Sequence, residues 1–278
     1  MNQIINQIIE QTKLSRQQAW WLLEFVTGKN RAQLQFSDTQ LTPQEQEKLA
    51  TYIQEISVHH KPLAYILGWV PFLDLKLIVT PPTLIPRPET EFWVEQLIAM
   101  IKNSGIEKLT ILDIGTGSGC IALSLAHALP QSQVYAVDIA QSALALAQKN
   151  ALQNNISNVT FIQSDLFSNL PTNLQFDLIV SNPPYIDPAA KLDASVLDWE
   201  DHDALFASNH GLQIIEQIMM QTKNHLKRND AIDYQLIMEI DVSQGEVVKK
   251  LGIDCGFSHV EIHKDQFDRD RTVWIKVT

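Results

Sequence analysis

From about residue 107 onward, short apolar segments alternate with longer segments of helical period. The apolar segments LTILDIG, QVYAVDI, VTFIQSD, FDLIVSN and YQLIMEI are predicted to be strands, and segments such as QSALALAQKNALQ and GLQIIEQIMMQTKNHL to be helices. Near-continuous apolar strands between helices are typical of a parallel sheet covered on both faces. The final segment SHVEIHKDQFDRDRTVWIKVT holds two strands joined by a short turn, which must be antiparallel. The pattern therefore predicts an α/β fold with a seven-stranded, mostly parallel sheet.

The part of the chain before this sheet has a different character. Residues 1–60 predict a small helical domain, with Ser15 and Thr42 as helix N-caps. Residues 61–85 predict a proline-rich linker that contains a β-hairpin, since the side chains alternate after Phe72. Residues 86–278 would then form the α/β domain, opening with a helix near Glu89.

Charge and cysteine content limit the class of protein. The formal net charge is −11 and the basic residues are scattered, which argues against nucleic acid as the main partner. The two cysteines, Cys120 and Cys255, show no metal-type spacing and fit a reducing cytoplasm. The first residues do not resemble a secretion signal, and no apolar run approaches the roughly 20 residues of a membrane helix. We expect a cytoplasmic protein without a membrane segment.

A glycine-rich loop follows the first strand of the predicted sheet. Gly115, Gly117 and Gly119 in LDIGTGSGC would let the backbone turn tightly and approach a ligand closely. A dinucleotide fingerprint would need its third glycine at the position of Cys120, and no lysine follows as in a triphosphate-binding loop. The loop therefore favours a nucleoside cofactor without phosphates, such as S-adenosylmethionine.

Two acidic residues end the next two strands. Asp138 follows QVYAV, where a carboxylate can accept hydrogen bonds from both hydroxyls of a ribose. Asp165 ends the third strand and could face an adenine amino group. For either acid alone, capping of the following helix is an equally good explanation. Because the loop and both acids fall in order at strand ends, the set favours a ligand site.

The segment FDLIVSNPPYIDP places two prolines directly after a buried strand. Pro183 and Pro184 offer no N–H and hold the turn extended, so the Pro183 carbonyl would point outward. The side-chain oxygen of Asn182 is a second acceptor at the same place. Tyr185 could stack on a bound planar group or close the pocket. The segment is predicted to be a rigid clamp for a nitrogen that carries N–H groups.

With DIGTGSG, AVDI and NPPY in this order, the chain resembles the class I S-adenosylmethionine-dependent methyltransferases. The segments PLAYILG, at 62–68, and LIPRPETE, at 84–91, are similar to those of the N(5)-glutamine methyltransferases that modify peptide chain release factors. This resemblance covers nearly the whole chain. It implies a Rossmann-like methyltransferase sheet, methylation of the glutamine in the Gly-Gly-Gln tripeptide of bacterial release factors, and docking of that substrate protein by the helical domain.

The resemblance and the loops together imply a set of site residues. The substrate-binding and catalytic residues would be Asn182, Pro183, Pro184 and Tyr185. S-adenosylmethionine would be bound by Gly115, Thr116, Gly117, Ser118, Gly119, Asp138, Asp165, Leu166 and Asn182. We expect no metal, no catalytic histidine and a monomer. The acidic stretch at 200–203 is expected to be a solvated loop, and Arg87 and Glu89 either support the site or form a helix-cap ion pair.

The chain departs from the family pattern in three loops. Lys61 stands where the family usually has an acid, DWEDHDALF replaces a Glu-Pro motif, and LKRNDAIDYQ replaces a glycine-rich turn. Two other functions stay open at this point. A methyltransferase of an exocyclic amino group on a nucleic acid base would also use NPPY, although the acidic charge and the LIPRPETE segment argue against it. A non-catalytic scaffold would be expected to have lost a glycine, Asp138 or Asn182, and all are present.

Overall fold

A computed structural model describes residues 1–36, 40–227 and 232–277. The chain divides into two compact units. The first unit comprises Met1–Trp69, Thr80–Pro82 and Leu192–Glu200, and the second comprises Val70–Val79, Thr83–Lys191 and Asp201–Thr278. The three-part division that the sequence predicts stays a prediction. Within the described ranges, no helix has the length and apolarity that a bilayer crossing requires.

The helices and strands follow in chain order. They are α1 (Asn2–Thr12), α2 (Arg16–Thr27), α3 (Arg31–Phe36), α4 (Pro43–Ser57), α5 (Leu63–Leu67), β1 (Trp69–Phe72), β2 (Leu75–Ile78), α6 (Pro88–Ser104), β3 (Thr110–Ile114), α7 (Cys120–Ala128), β4 (Gln133–Asp138), α8 (Gln141–Gln153), β5 (Val159–Gln163), β6 (Leu178–Ser181), α9 (Ala194–Leu197), α10 (Gln213–Thr222), β7 (Leu236–Glu239), α11 (Gly245–Asp254), β8 (His259–Lys264) and β9 (Asp270–Lys276). A 3-10 turn lies at His202–Ala204.

The first unit is a helical bundle, and two of its helices begin at the predicted N-caps. Ser15 and Thr42 each form a capping box with the residue three positions later, at the starts of α2 and α4. Gly28 ends α2 in the left-handed conformation. Apolar side chains from α1, α2 and α4 meet in one core, in which Ile5 and Trp20 are almost completely buried. Burial of one such side chain contributes about 1.5–3 kcal/mol, so this apolar core accounts for much of the bundle's stability.

The second unit is built on the seven-stranded sheet, in the order β5-β4-β3-β6-β7-β9-β8. All neighbours are parallel except β9, which is antiparallel to both β7 and β8. Alternate residues of β3 enter different cores: Ile111 packs with α6 and α7, and Leu112 packs with α10 and α11. This burial on both faces explains the near-continuous apolar strands. The predicted fold class is confirmed.

The strand order reverses direction between β3 and β6. The chain moves from β3 to β4 and β5 on one side, and from β6 to β7 on the other. In open α/β sheets, the crevice at the carboxyl ends of the two central strands is where ligands bind. Here Ile114 pairs with Ser181, and the Ser181 hydroxyl donates to the Ile114 carbonyl at 2.7 Å. The glycine loop and the NPPY segment therefore start side by side.

Some element boundaries differ from the prediction. The hairpin, expected from Phe72, consists of β1 and β2 and begins at Trp69. The helix expected to open at Gly211 begins at Gln213, because Gly211 lies in a turn with a φ of +83°. The helices α3, α5, α9 and α11 were not predicted from the sequence. Of the unusual segment LKRNDAIDYQ, residues 228–231 lie outside the described part of the chain.

Candidate active site

The strand register gathers the predicted residues along one edge of the sheet. Asp138 pairs with Gln163 of β5, and Val137 pairs with Ile114, the last residue before the glycine loop. Ser181, the residue before Asn182, pairs with Met238, the residue before Glu239. The edge thus carries, in spatial order, Asp138, the loop that begins at Gly115, Asn182 and Glu239.

Asp138 holds the glycine loop and the start of the next helix with one carboxylate. Its Oδ2 accepts the backbone N–H of Gly117 at 2.9 Å, and its Oδ1 accepts that of Ala140 at 2.9 Å. Burial raises the pKa of Asp138, and these two hydrogen bonds partly offset that effect. Each carboxylate oxygen keeps capacity for a further donor, so ribose hydroxyls would find acceptors there. Asp138 therefore holds the loop and the residue before α8 in place, is not the N-cap of α8, and remains suited to a ligand.

The glycine loop presents backbone, not side chains, to a ligand. An added Cβ at Gly115 or Gly117 would meet nothing within 4 Å, and Gly117 has a φ of +54° that favours glycine. The side chains of Thr116 and Ser118 are buried, and the Thr116 hydroxyl donates to Asp113 at 2.7 Å. This open backbone beside the Asp138 carboxylate fits a nucleoside cofactor.

Asp165 and Leu166 follow β5 on the outer side of Asp138. The Asp165 side chain is exposed, and its carbonyl accepts the N–H of Ser168 at 3.0 Å. Leu166 has a φ of +47°, which is uncommon for a residue other than glycine. Such backbone strain is often kept at ligand sites. Both residues are predicted to bind the cofactor, and in the structure they lie in a turn after β5, the strand that pairs with β4.

The NPPY segment is anchored on its inner side. Asn182 is half-buried, and its Nδ2 donates to the hydroxyl of Thr90 at 3.2 Å. The Tyr185 hydroxyl donates to Oε1 of Glu239 at 2.9 Å. Burial, followed by the negative charge of Glu239, raises the pKa of Tyr185 well above its usual value. Tyr185 is thus a neutral hydrogen-bond donor that fixes its own ring.

Glu239 is the main residue that the sequence argument missed. Its side chain is almost completely buried, and its Oε2 accepts the Thr90 hydroxyl at 2.6 Å and the Trp93 indole N–H at 2.9 Å. Burial raises the pKa of Glu239, which the hydrogen bonds partly offset. One signal was available: Glu239 ends the strand in the segment YQLIMEI, as Asp138 ends β4, and Asn182 directly follows β6.

The start of α6 is held by an ion-pair network. Glu89 forms an ion pair with Arg269 at 3.2 Å, and Arg269 also pairs with Asp265 at 2.8 Å. Glu89 thus connects the start of α6 with the turn between β8 and β9. Glu200, expected in a solvated loop, is buried. Among the described residues, no group of three histidine, cysteine or acidic side chains has a geometry that would hold a metal.

Asp113 supports the loop from below and makes stability depend on pH. Its Oδ2 accepts hydrogen bonds from Thr116 and Ala122, whereas its buried Oδ1 has no partner. Burial raises its pKa from 3.8 to about 7. The folded protein then keeps a proton between about pH 4 and pH 7 that the unfolded chain releases, so this contribution to stability is lost as the pH rises through 7.

We expect the Asp113→Asn variant to lack this loss, because asparagine does not titrate. Between about pH 5 and about pH 8, the variant should gain roughly 2–4 kcal/mol of unfolding free energy relative to the unsubstituted protein. Urea unfolding followed by circular dichroism at both pH values measures the difference. Asp74→Asn, which changes an exposed carboxyl in the β1–β2 turn, serves as the control. The same pH dependence in all three proteins would contradict the assignment.

Two protein-family models match the chain. The model of the PrmC N-terminal domain matches residues 3–68. The model of the methyltransferase small domain matches residues 90–229. Solved structures share the fold alone: the hMettl16 catalytic domain in complex with a MAT2A 3'UTR hairpin is 19% identical with a TM-score of 0.55, over 73% of this chain and 78% of that one. A 16S rRNA N2 G1207 methyltransferase of T. thermophilus, solved with AdoMet and guanosine, is 16% identical with a TM-score of 0.53, over 76% of this chain and 50% of that one.

Curated relatives are much more similar in sequence. The release factor glutamine methyltransferase of Lactococcus lactis is 44% identical over 232 residues, which cover 82% of each chain. The one of Escherichia coli is 38% identical over 265 residues, or 95% of this chain and 92% of its own length. These similarities confirm the resemblance seen in the motifs. The chain is a methyltransferase and belongs to the release factor glutamine methyltransferase family.

Proposed function

We propose that this enzyme transfers a methyl group from S-adenosylmethionine to the side-chain amide nitrogen of the glutamine in the Gly-Gly-Gln tripeptide of release factors. The observation that carries the proposal is the pairing of Ile114 with Ser181, which starts the glycine loop and the NPPY segment at the same point of the sheet edge. A cofactor on the loop and an amide at Asn182 would therefore be neighbours.

The chemistry asks for positioning more than for acid–base catalysis. When bound, S-adenosylmethionine would supply a methyl group activated on a sulfonium. Methyl transfer would form an N–C bond and break the S–C bond, whose electron pair stays on sulfur. The extra proton on nitrogen would be released to water. We assign Asp138 to the ribose hydroxyls and the loop from Gly115 to Gly119 to the backbone contacts. Asp165 and Leu166 would face the adenine.

The substrate amide would lie on the NPPY segment. An amide nitrogen is a poor nucleophile because its lone pair is delocalised into the carbonyl. Oδ1 of Asn182 and the carbonyl of Pro183 would each accept one N–H, which turns the lone pair toward the methyl group and stabilises charge that develops on nitrogen. Pro184 would keep that stretch of backbone extended and its carbonyl available, and the anchored ring of Tyr185 would form a wall beside the amide plane.

The substrate protein would contact a second part of the enzyme. The helical bundle of the first unit would dock the release factor. The enzyme would work as a monomer in the cytoplasm, where translation termination takes place. A nucleic acid base is the second candidate substrate, because NPPY also suits an exocyclic amino group. The net charge of −11 disfavours that substrate.

Methyl transfer to a purified bacterial release factor tests the proposal. With labelled S-adenosylmethionine, we expect label on the release factor and none on a matched release factor that has alanine in place of the tripeptide glutamine. Fragmentation of the labelled peptide should place the methyl group on the side-chain nitrogen. A parallel assay offers bacterial RNA and DNA as substrates. If neither release factor is labelled and a nucleic acid is, the nucleic acid alternative would replace this proposal.

A further inference from the structure

A three-residue hydrogen-bond chain runs from the buried end of β7 to Asn182. The Thr90 hydroxyl donates to Oε2 of Glu239 at 2.6 Å, and Nδ2 of Asn182 donates to the same Thr90 hydroxyl at 3.2 Å. Thr90 and Glu239 are each only 1% exposed, so water does not compete for these groups. The two bonds are therefore coupled through one hydroxyl group.

The direction of this chain follows from the number of protons available. A threonine hydroxyl has one hydrogen and can donate only once. Glu239 accepts from every group around it, with Trp93 on Oε2 and Tyr185 on Oε1. An ionised carboxylate cannot donate, so the short contact with Glu239 takes the hydrogen of Thr90. The remaining lone pairs of the Thr90 oxygen can then only accept, and the group of Asn182 that faces them must be the NH₂. Oδ1 of Asn182 consequently lies on the side away from Thr90.

We propose that Thr90 and Glu239 are positioning residues that hold the Asn182 amide in one of its two orientations and so determine which atom of the substrate amide the clamp accepts. This inference rests on the proposed function of Asn182 as an acceptor for the substrate nitrogen. An amide nitrogen and an amide oxygen are similar in size, and a pocket of given shape separates them poorly. An Asn182 oxygen that faces the substrate attracts N–H groups and repels a carbonyl oxygen. A reversed Asn182 would do the opposite and turn the substrate nitrogen away from the methyl group.

Thr90→Val tests the chain, because valine keeps the shape of threonine and removes its hydroxyl. Without that hydroxyl, Nδ2 of Asn182 loses its acceptor, so the amide is free to reverse. We expect kcat for methyl transfer to a release factor to fall roughly ten- to hundredfold, with KM changed by less than about threefold. The Kd for S-adenosylmethionine should stay unchanged.

Two further variants separate positioning from general damage. Thr90→Ser restores the hydroxyl without the methyl group and should recover kcat to within about threefold of the unsubstituted enzyme. Thr222→Val makes the same change at another fully buried threonine, whose hydroxyl donates to the Ile218 carbonyl at 2.7 Å, and should leave kcat unchanged. Equal kcat in Thr90→Val and the unsubstituted enzyme would overturn the proposal. So would a Thr90→Ser variant as slow as Thr90→Val.

A second readout does not depend on turnover. In protein labelled with ¹⁵N-asparagine, the side-chain NH₂ signal of Asn182 is identified by its loss in Asn182→Ala. We expect its hydrogen exchange to be at least about tenfold faster in Thr90→Val than in Thr90→Ser, since only the latter keeps the acceptor. Equal exchange rates in the two variants would overturn the proposed hydrogen bonds between Glu239, Thr90 and Asn182, whichever substrate the enzyme methylates. Absence of release factor methylation with the expected exchange difference would instead contradict the proposed function alone.

Discussion

Replacing Asn182 by alanine is expected to lower kcat for release factor methylation by roughly a hundred- to a thousandfold, the usual effect of removing one polar group that stabilises a transition state in a preorganised site. The alanine variant keeps the Pro183 carbonyl as one acceptor but loses Oδ1, so the substrate nitrogen is no longer held by both N–H groups. The loop and Asp138 are untouched, because Gly117 and Ala140 donate to that carboxylate independently of Asn182.

The measurement pairs turnover with cofactor affinity. Steady-state methyl transfer should show the loss of kcat, and calorimetry should show an unchanged Kd for S-adenosylmethionine. Asn103→Ala, at an exposed position near the end of α6, is the matched control and should behave as the unsubstituted enzyme. Full turnover in Asn182→Ala would eliminate the two-acceptor clamp. A large loss of affinity for S-adenosylmethionine would show that Asn182 binds the cofactor more than the substrate.

Gly211→Ala is expected to have the largest effect on stability, with a loss of roughly 3–5 kcal/mol in unfolding free energy. The φ of Gly211 is +83°, and a Cβ there would lie 1.9 Å from the Tyr185 carbonyl oxygen and 2.7 Å from Nε2 of Gln244. That amide nitrogen donates to the carbonyls of Tyr185 and His210 at 3.0 and 3.1 Å. Accommodating a methyl group requires the backbone at Tyr185 to move and these bonds to break.

Gly105→Ala isolates the contribution of the close contact. Gly105 has a φ of +75° at the end of α6, and an added Cβ would meet nothing within 4 Å. Left-handed backbone alone should cost this control about 1–2 kcal/mol. Urea unfolding of both variants, together with kcat for methyl transfer, gives the comparison. We expect Gly211→Ala to be the less stable of the two and to lose activity, since Tyr185 ends the clamp. Equal stability of the two variants would contradict the role of the Tyr185 contact.

Local patterns were sufficient to predict most of the fold. The capping boxes at Ser15 and Thr42 involve residues three positions apart, and the strands of the sheet are short apolar runs that periodicity detects. The glycine loop and NPPY were found because each is contiguous in sequence. The parallel direction of most strands follows from the same alternation, because parallel strands must be joined by crossover connections such as helices. Their order in the sheet was not predicted.

The support of the site could not be found in this way. Thr90 and Glu239 are 149 residues apart in sequence and meet only because α6 packs over the sheet. Gly211 was expected to begin a helix, since the helical period of LQIIEQIMM starts directly after it. In the turn that it forms instead, the Tyr185 carbonyl lies too close to leave room for a side chain, and no local pattern reports that contact.

The antiparallel strand β9 has a consequence for when the enzyme becomes competent during its synthesis. It lies between β7 and β8, and its Thr272 pairs with Glu239. The strand that carries Glu239 is therefore flanked on both sides only after residues 270–276 have left the ribosome. A nascent chain that ends before this point can hold the glycine loop and NPPY and still lack the closed wall around the buried carboxylate. The hydrogen bonds that orient Asn182 are accordingly expected to be complete only once β9 has paired with β7, after the glycine loop and NPPY have been synthesised.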